Sequence, residues 1–332
     1  MKVCLYLELE KQFRGSGIGS AIENQRKALE LNNVPYTNDL KDDFDIIHIN
    51  MIGIKSFFLA KKLKAKGKKV VLHAHSTADD FRNSYKFSNF IAPIFGKLLT
   101  FYYNQADLVL CPSEYTKGVL KKAGVKKRIK VISNGINLDR FQPTDEKREK
   151  FRKENSLKGV VAFSVGHVFI RKGIETFFEL AKEFPKNTFV LVGRRYRNLE
   201  DSRVKKLLNN IPANVILKDY VDDIVEVYSG CDVFIFPSYC ENQGIVLLEA
   251  GACKKPILVR NLPTYEGWLK DEQNCLKAMN EHEFFLQTKR LLEDEWLRER
   301  LSKNSYKLAQ EHSLKNIGAQ LKQIYEFLIL EK

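Results

Sequence analysis

Short apolar runs alternate with longer stretches of helical spacing along most of the 332-residue chain. An apolar run of about four to eight residues is typical of a strand buried on both faces, whereas apolar positions repeating every third or fourth residue indicate a helix. The predicted strands cover residues 3–9, 45–49, 69–75, 107–113 and 129–135 in the first half, and 160–166, 188–193, 214–220, 232–238 and 256–259 in the second. Repeated strand–helix units favour parallel sheets with helices on both faces.

A charged stretch at residues 141–158 interrupts this alternation, because it contains Pro143 and has no apolar rhythm. Such a break is typical of a linker between domains. We therefore predict an α/β fold of two tandem Rossmann-like domains with an interdomain cleft. The predicted N-terminal domain covers residues 1–140 and the C-terminal domain residues 159–312, with helical spacing continuing to the end of the chain.

Composition is that of a globular protein, with 44% hydrophobic and 29% charged residues and a net charge of +14. Residues 1–150 hold 27 Lys and Arg against 16 Asp and Glu, and the remainder 28 against 25. Such asymmetry suggests an acidic partner, either nucleic acid or an anionic membrane. We find no helix-turn-helix or stacking platform for nucleic acid, and no apolar run long enough for a membrane span. Residues 1–11 are predicted to contain a first strand and not a secretion signal.

Neither a metal site nor a dinucleotide site is predicted. The six cysteines have no paired spacing of the kind that binds zinc. Gly15, Gly17 and Gly19 follow the first strand, but Ser20 stands where the dinucleotide fingerprint continues, and the second strand ends without the acid that binds ribose. The loop is either a glycine turn without a ligand or a site where the backbone approaches a phosphate or sugar.

The most informative segment is residues 237–256, where Glu241 precedes Glu249 by eight positions. We place Glu241 in a turn at the end of the strand at 232–238, and Glu249 about two turns into the following helix. Ligands bind at this edge of open α/β sheets, and helix N-termini favour phosphate. The pair suits a phosphorylated sugar, although an acidic residue favouring the helix dipole plus one solvated glutamate is an equal alternative.

A second strand–loop–helix unit, residues 166–180, carries Arg171 and Lys172 directly before Gly173. Two cations at a helix N-terminus would neutralise a diphosphate. The alternative is a pair of solvated charges. His73 and His75 end the third strand and face the same side, and His75 is either structural or part of the site.

Two segments are candidates for contact with a membrane. The first is a lysine cluster formed by Lys61, Lys62, Lys64, Lys66, Lys68 and Lys69. The second is an apolar, aromatic-rich helical stretch at residues 85–103. A basic cluster beside an aromatic amphipathic helix is typical of proteins at the membrane interface. The alternatives are a solvated helix end and a core helix.

Together these features resemble the retaining family-4 glycosyltransferases of the GT-B fold, over essentially the whole chain. The strongest match is PSYCENQGIVLLEAGACKKPILV at residues 237–259, which carries the family's two glutamates and the end of its helix. Further matches are the glycine loop at 15–19, His75, the stretch VISNGINLDRF at 131–141, and Arg171–Gly173.

The resemblance implies a nucleotide-sugar donor, UDP-glucose, and a catalytic set of Glu241, His75 and Lys172. Glu249 would bind the ribose, and Glu241 with the turn after it would hold the transferred sugar. The implied donor-binding residues are Gly17, Arg171, Lys172, Val221, Asn242, Gln243, Gly244, Ile245 and Glu249. No tightly bound cofactor is implied, and a divalent metal would at most stimulate the reaction. The final segment, 313–332, would pack back on the N-terminal domain.

Two departures from the family pattern stand out. Gly166-His167 replaces the usual Gly-Arg, so Arg171 or Arg194 would supply the second cation, and Gln243-Gly244 replaces Phe-Gly. Within the family the chain most resembles bacterial membrane glycolipid synthases. This implies a peripheral enzyme on the cytoplasmic face of the plasma membrane that converts monoglucosyldiacylglycerol to α-1,2-linked diglucosyldiacylglycerol. Another lipid, wall-polymer or capsular acceptor, a dehydrogenase and a nucleotide-binding protein without catalysis are the alternatives, and the oligomeric state is open.

Overall fold

The computed structural model describes residues 1–13 and 15–331, and divides the chain into two compact units. The first unit contains Met1–Asp79, Ile91–Asn137 and the chain from His312 onwards. The second contains Asp80–Phe90 and Leu138–Glu311. Lys332, the last residue of the predicted final segment, lies outside the described residues.

The first unit is built on a parallel sheet with six strands among the described residues, in the order β2-β1-β3-β4-β5-β6. The strands are β1 Val3–Tyr6, β2 Tyr36–Thr37, β3 Ile46–Ile49, β4 Lys69–His73, β5 Leu108–Cys111 and β6 Ile129–Val131. Its helices are α1 Gly17–Leu31, α2 Ile54–Ala65, α5 Glu114–Lys122 and α13 Leu314–Leu330. Two further helices, α3 Ala78–Phe81 and α4 Ser88–Tyr103, include residues of both units.

The last helix, α13, packs on α1 within the first unit. A Cβ at Gly318 would lie 2.1 Å from the Ala28 carbonyl oxygen, so only glycine permits this approach of the two helices. Ile317, Leu321 and Tyr325 of α13 belong to the same buried cluster as strand β1.

The second unit has the same architecture, with strand order β12-β11-β10-β7-β8-β9 and all described neighbours parallel. Its strands are β7 Ala162–Val165, β8 Phe189–Val192, β9 Val215–Lys218, β10 Val233–Phe236, β11 Ile257–Arg260 and β12 Leu276–Ala278. Its helices are α6 Asp145–Glu154, α7 Ile174–Glu183, α8 Ser202–Leu208, α9 Ile224–Gly230, α10 Ile245–Ala252, α11 Glu281–Glu293 and α12 Glu295–Glu311. The predicted α/β class with two parallel sheets is confirmed.

Three elements differ from the sequence prediction. The short strands β2 and β12 were not predicted, because two or three residues carry no readable periodicity. The stretch at 141–158 contains helix α6, in which the Thr144 hydroxyl accepts from the Lys147 N–H as an N-cap. Phe151 alone is buried in this helix, and a single apolar residue cannot produce a helical repeat.

Candidate functional site

The Glu241 carboxylate lies among polar groups just beyond the C-terminal end of β10. Its Oε1 is 2.5 Å from Lys172 Nζ, 2.7 Å from Ser238 Oγ and 3.7 Å from the Arg171 guanidinium. Glu241 is only 7% exposed. Burial alone would raise the pKa of this carboxyl, but Lys172 and Arg171 bring it below its ordinary value. The second unit therefore holds an ionised, buried carboxylate beside two cations.

A close backbone contact places Lys172 beside Glu241. Gly173 has a φ of 72°, and a Cβ there would lie 2.1 Å from the Pro237 carbonyl oxygen. Only glycine fits both the left-handed conformation and this contact. The Arg171 carbonyl accepts from the Tyr239 N–H at 2.8 Å, which joins the loop before α7 to the loop after β10.

The Arg171 side chain is anchored on both sides. Its Nε donates to Ser84 Oγ at 2.7 Å and its Nη1 to the Cys240 carbonyl at 3.2 Å. Ser84 belongs to the Asp80–Phe90 segment, which groups with the second unit. Sequence reasoning missed Ser84 because nothing in its local pattern relates it to a loop 87 residues later.

His167, which stands where the family has arginine, adds no charge to the site. Burial and the neighbouring Lys172 and Arg171 lower its pKa to about 4, so the ring is neutral at pH 7. Its buried Nδ1 has no hydrogen-bond partner among the described residues. Arg194 is exposed and lies over the Tyr196 ring. Of the two suggested replacements, Arg171 is the cation that contacts Glu241.

Glu249 has a different environment from Glu241. It is the fifth residue of α10, so it lies one turn into the helix and not two as predicted. The carboxyl is 8% exposed and accepts a hydrogen bond from the Tyr228 hydroxyl at 2.9 Å. Burial raises its pKa to about 7, because the loss of water outweighs the hydrogen bond from Tyr228 and the charge of Arg140, both of which lower the pKa. Tyr228 comes from α9, and the sequence carried no signal for this pair.

Replacing Glu249 by glutamine is expected to change how stability depends on pH. The carboxyl has a pKa of 4.5 when unperturbed and about 7 in the fold, so its contribution to the stability of the wild type falls as pH rises between those values, where this group ionises only in the unfolded chain. The loss is at most ~3 kcal/mol. Buried histidines titrate over the same range in both proteins, so the test is the difference between the two. From pH 5 to pH 8 the free energy of urea unfolding should fall in the wild type relative to the variant, whereas equal changes in both proteins would contradict a buried carboxyl at this position.

The remaining donor-site candidates of the second unit follow strand ends or open a helix. Gly244, with a φ of 82°, is the N-cap of α10 and is followed by Ile245. Asn242 and Gln243 are buried, and the Asn242 carbonyl accepts from Thr264 Oγ1 at 2.9 Å. Val221 is half-buried in the loop after β9. Their contacts with a donor remain a prediction.

Gly17 and His75 belong to the first unit. Gly17 opens α1, and a Cβ there would meet no atom of the described residues within 4 Å. Neighbouring side chains therefore do not explain a glycine at this position. His75 is half-buried, with Nε2 2.8 Å from Asn50 Oδ1, and its ring stacks on His73.

The six lysines of the predicted membrane cluster fall into two groups. Lys64 pairs with Asp107 at 2.6 Å, Lys68 pairs with Asp43 at 2.8 Å, and Lys69 donates to a main-chain carbonyl at 2.7 Å. The others, Lys61, Lys62 and Lys66, are exposed and have no carboxylate partner in the described part of the chain.

Exposed apolar side chains accompany these lysines. On α2, Ile54 is 78% and Phe58 65% exposed, and on α4, Ile94 is 68%, Leu98 54% and Phe101 55% exposed. The rings of Phe57 and Phe101 lie 5.5 Å apart and join the two helices within the first unit. We call these five exposed residues the apolar face.

Neither a metal cluster nor a membrane-spanning helix is found in residues 1–13 and 15–331. Within these ranges no group of three or more His, Cys, Asp or Glu side chains is placed to hold a metal ion. No helix in the same ranges combines the length and the hydropathy that crossing a bilayer requires.

Two families match the chain in succession. The family described as Glycosyltransferase Family 4 matches residues 26–140, and Glycosyl transferases group 1 matches residues 145–308. The chain is 37% identical to the processive diacylglycerol alpha-glucosyltransferase of Acholeplasma laidlawii, over 99% of both chains. It is 26% identical to the alpha-galactosylglucosyldiacylglycerol synthase of Streptococcus pneumoniae, over 74% of this chain and 68% of that one.

Solved structures agree on the fold. Sucrose-phosphate synthase from Thermosynechococcus elongatus superposes with a TM-score of 0.81 at 16% identity, over 100% of both chains. Anabaena HepE, solved in complex with UDP and glucose, superposes with a TM-score of 0.79 at 17% identity, over 98% of this chain and 100% of that one. The sequence matches and these folds together show that the chain belongs to the family-4, group 1 glycosyltransferases of the GT-B fold and is a hexosyltransferase.

Proposed function

We propose that this enzyme transfers glucose from UDP-glucose to monoglucosyldiacylglycerol, retains the anomeric configuration, and forms an α-1,2 linkage. The observation that carries the proposal is the buried, ionised Glu241 held by Lys172, Arg171 and Ser238 at the C-terminal edge of the second sheet. The diacylglycerol glucosyltransferase named above, matched over 99% of both chains, supports a glycolipid acceptor.

The donor-site chemistry follows from the charges of this cluster. Lys172 would neutralise the diphosphate as the bond between glucosyl C1 and the phosphate oxygen breaks. Glu241 and the backbone N–H groups at the start of α10 would bind the hydroxyls of the transferred glucose, and Glu249 those of the ribose. The acceptor hydroxyl oxygen would bond to C1 on the face that the phosphate leaves, and its proton would pass to the departing phosphate.

The acceptor is lipid, and we propose that the apolar face brings the enzyme to it. Five large apolar side chains, each more than half exposed, lie on α2 and α4 of the first unit. Lys61 and Lys62 on α2 and Lys97 on α4 accompany them. An apolar stripe flanked by lysines is typical of helices that lie in the headgroup region of an anionic bilayer. We propose peripheral binding at the cytoplasmic face of the plasma membrane.

Only the lysines without carboxylate partners should matter for this binding. Replacing Lys61, Lys62 and Lys66 together by alanine is expected to weaken binding to vesicles rich in anionic lipid by roughly 100-fold at low salt, at ~1 kcal/mol per lysine. The difference should shrink as salt shortens the Debye length. Vesicle co-sedimentation measures both effects, with Lys186, Lys206 and Lys289, exposed in the second unit, replaced as the control. Equal binding by the two triple variants would contradict the assignment.

The acceptor is tested by where the label from UDP-glucose is found. Incubation with vesicles that contain monoglucosyldiacylglycerol, diacylglycerol or neither should place label in the lipid extract only when the first is present. Label on diacylglycerol alone would identify diacylglycerol, and not its monoglucosyl derivative, as the acceptor. Label confined to a wall or capsular polymer, or no transfer in the presence of tight UDP binding, would replace the proposal by one of the alternatives from the sequence.

A further inference from the structure

A buried pair of side-chain amides lies behind His75 in the first unit. Gln25 of α1 and Asn50, which follows β3, exchange two hydrogen bonds of 2.8 Å each. They are 4% and 1% exposed. Asn50 Oδ1 is also 2.8 Å from His75 Nε2. Two buried amides with reciprocal bonds form a rigid support, because neither can rotate without breaking both bonds.

A stack of three histidines continues this support. The His75 and His73 rings are parallel with centroids 4.1 Å apart, and His73 and His48 are parallel at 5.3 Å. His48 Nδ1 is 2.6 Å from the hydroxyl of Tyr325 on α13. The plane of the His75 ring is therefore set by contacts with residues at the ends of β3 and β4, which α1 and α13 hold in turn through Gln25 and Tyr325.

The hydrogen bonds also define which nitrogen of His75 carries its proton. Asn50 donates its Nδ2–H to Gln25, so its Oδ1 accepts from both Gln25 Nε2 and His75 Nε2. This places the proton of a neutral His75 on Nε2 and makes Nδ1 a hydrogen-bond acceptor. Burial lowers the pKa of His75 to about 3 and that of His48 to about 3, so these rings are neutral at pH 7. Gln25 Nε2 also lies 3.1 Å from His73 Nδ1, which fits the same pattern.

We propose that Asn50, held by Gln25, is a positioning residue that fixes the ring orientation and the Nε2–H tautomer of His75. The inference rests on the proposed function and on the catalytic role that the family resemblance implies for His75. A neutral ring with its proton on Nε2 can only accept a hydrogen bond at Nδ1, whereas the other tautomer can only donate one there. Asn50 acts through His75 and does not itself touch the substrate.

Two substitutions at Asn50 test this role. Asn50→Ala removes the acceptor that faces Nε2, and we expect kcat to fall roughly tenfold or more, with UDP affinity unchanged. Asn50→Asp keeps an acceptor but adds a carboxylate, which favours the imidazolium and raises the pKa of His75. The other titratable groups of the network are His48, His73 and Tyr325. All three are uncharged at pH 7, because burial lowers the pKa of both histidines and raises that of the tyrosine. We therefore expect the acid limb of the pH–rate profile to move upward by about one unit or more in this variant.

The control is Asn24→Ala, on the same helix as Gln25. The Asn24 side chain donates to the Gly135 carbonyl at 2.9 Å and does not touch the histidines. This variant reports what the loss of a partly buried side-chain hydrogen bond on α1 costs by itself. The proposal is overturned if Asn50→Ala and Asn24→Ala lose the same activity per folded molecule, or if Asn50→Asp keeps the wild-type pH profile.

A readout without substrate separates this proposal from the proposed function. In protein labelled with ¹⁵N-histidine, His75 should show the Nε2–H tautomer in the wild type and a mixture in Asn50→Ala. An unchanged tautomer in that variant overturns the positioning role. A change of tautomer in Asn50→Ala, combined with no transfer of glucose to lipid by the wild type, is a separate outcome. In that case the proposed function fails, but the conclusion that Asn50 fixes the His75 tautomer stands.

Discussion

Replacing Glu241 by glutamine is expected to reduce glucosyl transfer by roughly 100- to 1000-fold, the range for loss of one preorganised electrostatic contact. The amide has nearly the same shape, so the change removes the charge that Lys172 and Arg171 face. UDP should still bind, because the ammonium of Lys172 is then available to the diphosphate. Turnover of saturating labelled UDP-glucose with lipid vesicles measures the first effect, and titration calorimetry with UDP the second.

The same substitution should also lower the free energy of unfolding, and this loss of stability must be measured separately from the loss of catalysis. Leaving one partner of a buried ion pair without the other typically costs about 3–5 kcal/mol. The double variant Glu241→Gln/Lys172→Met removes both charges, so it should recover much of the stability and none of the activity. Glu266→Gln, at an exposed position of the same unit, should leave both unchanged. Turnover near the wild-type value in Glu241→Gln would contradict the catalytic assignment.

Replacing Ile94, Leu98 and Phe101 together by serine is expected to abolish most vesicle binding and, with it, transfer to lipid acceptors. Burying a large apolar side chain fully is worth about 1.5–3 kcal/mol. Three partly inserted side chains therefore account for at least ~3 kcal/mol, or roughly 100-fold in affinity. Each is more than half exposed, so the fold should tolerate the change. Co-sedimentation with anionic vesicles in high salt isolates this apolar contribution from that of the lysines.

A matched variant exists in the second unit. Met279, Leu286 and Trp296 are also exposed apolar residues, at 69%, 44% and 83%. Their joint replacement by serine should leave vesicle binding unchanged. If both triple variants bind vesicles as the wild type does, the apolar face on α2 and α4 is not the membrane contact.

The sequence predicted the architecture well because the strands of the two sheets are short apolar runs with strong local signals. Each predicted strand overlaps an observed one. The stretch Arg171–Gly173, which the sequence placed before a helix, ends at a glycine in the left-handed conformation. Helix α6 was not predicted, because a cap and ion pairs stabilise it instead of an apolar face. One of these pairs joins Arg148 to Asp232, and sequence spacing gives no sign of it.

The sequence could not predict which residues, distant in the chain, contact the side chains of the candidate site. Glu241 and Glu249 have the same residue type, yet one is held ionised by cations and the other has a raised pKa beside Tyr228. The sequence gives no reason to distinguish the six lysines of the cluster. In the structure three of them have partners, which are Asp43, Asp107 and the Glu331 carbonyl. Such differences arise only from the tertiary contacts of each group.

The chemical structure of the product is the decisive evidence for glucosyl transfer from UDP-glucose to a diacylglycerol glycolipid. The enzyme would be incubated with ¹³C-glucose-labelled UDP-glucose and vesicles containing monoglucosyldiacylglycerol, and the labelled lipid purified for NMR. We expect one new α-anomeric glucose bonded to O2 of the inner glucose. A β-anomeric product, a linkage to another oxygen, or label found only in free glucose would contradict it.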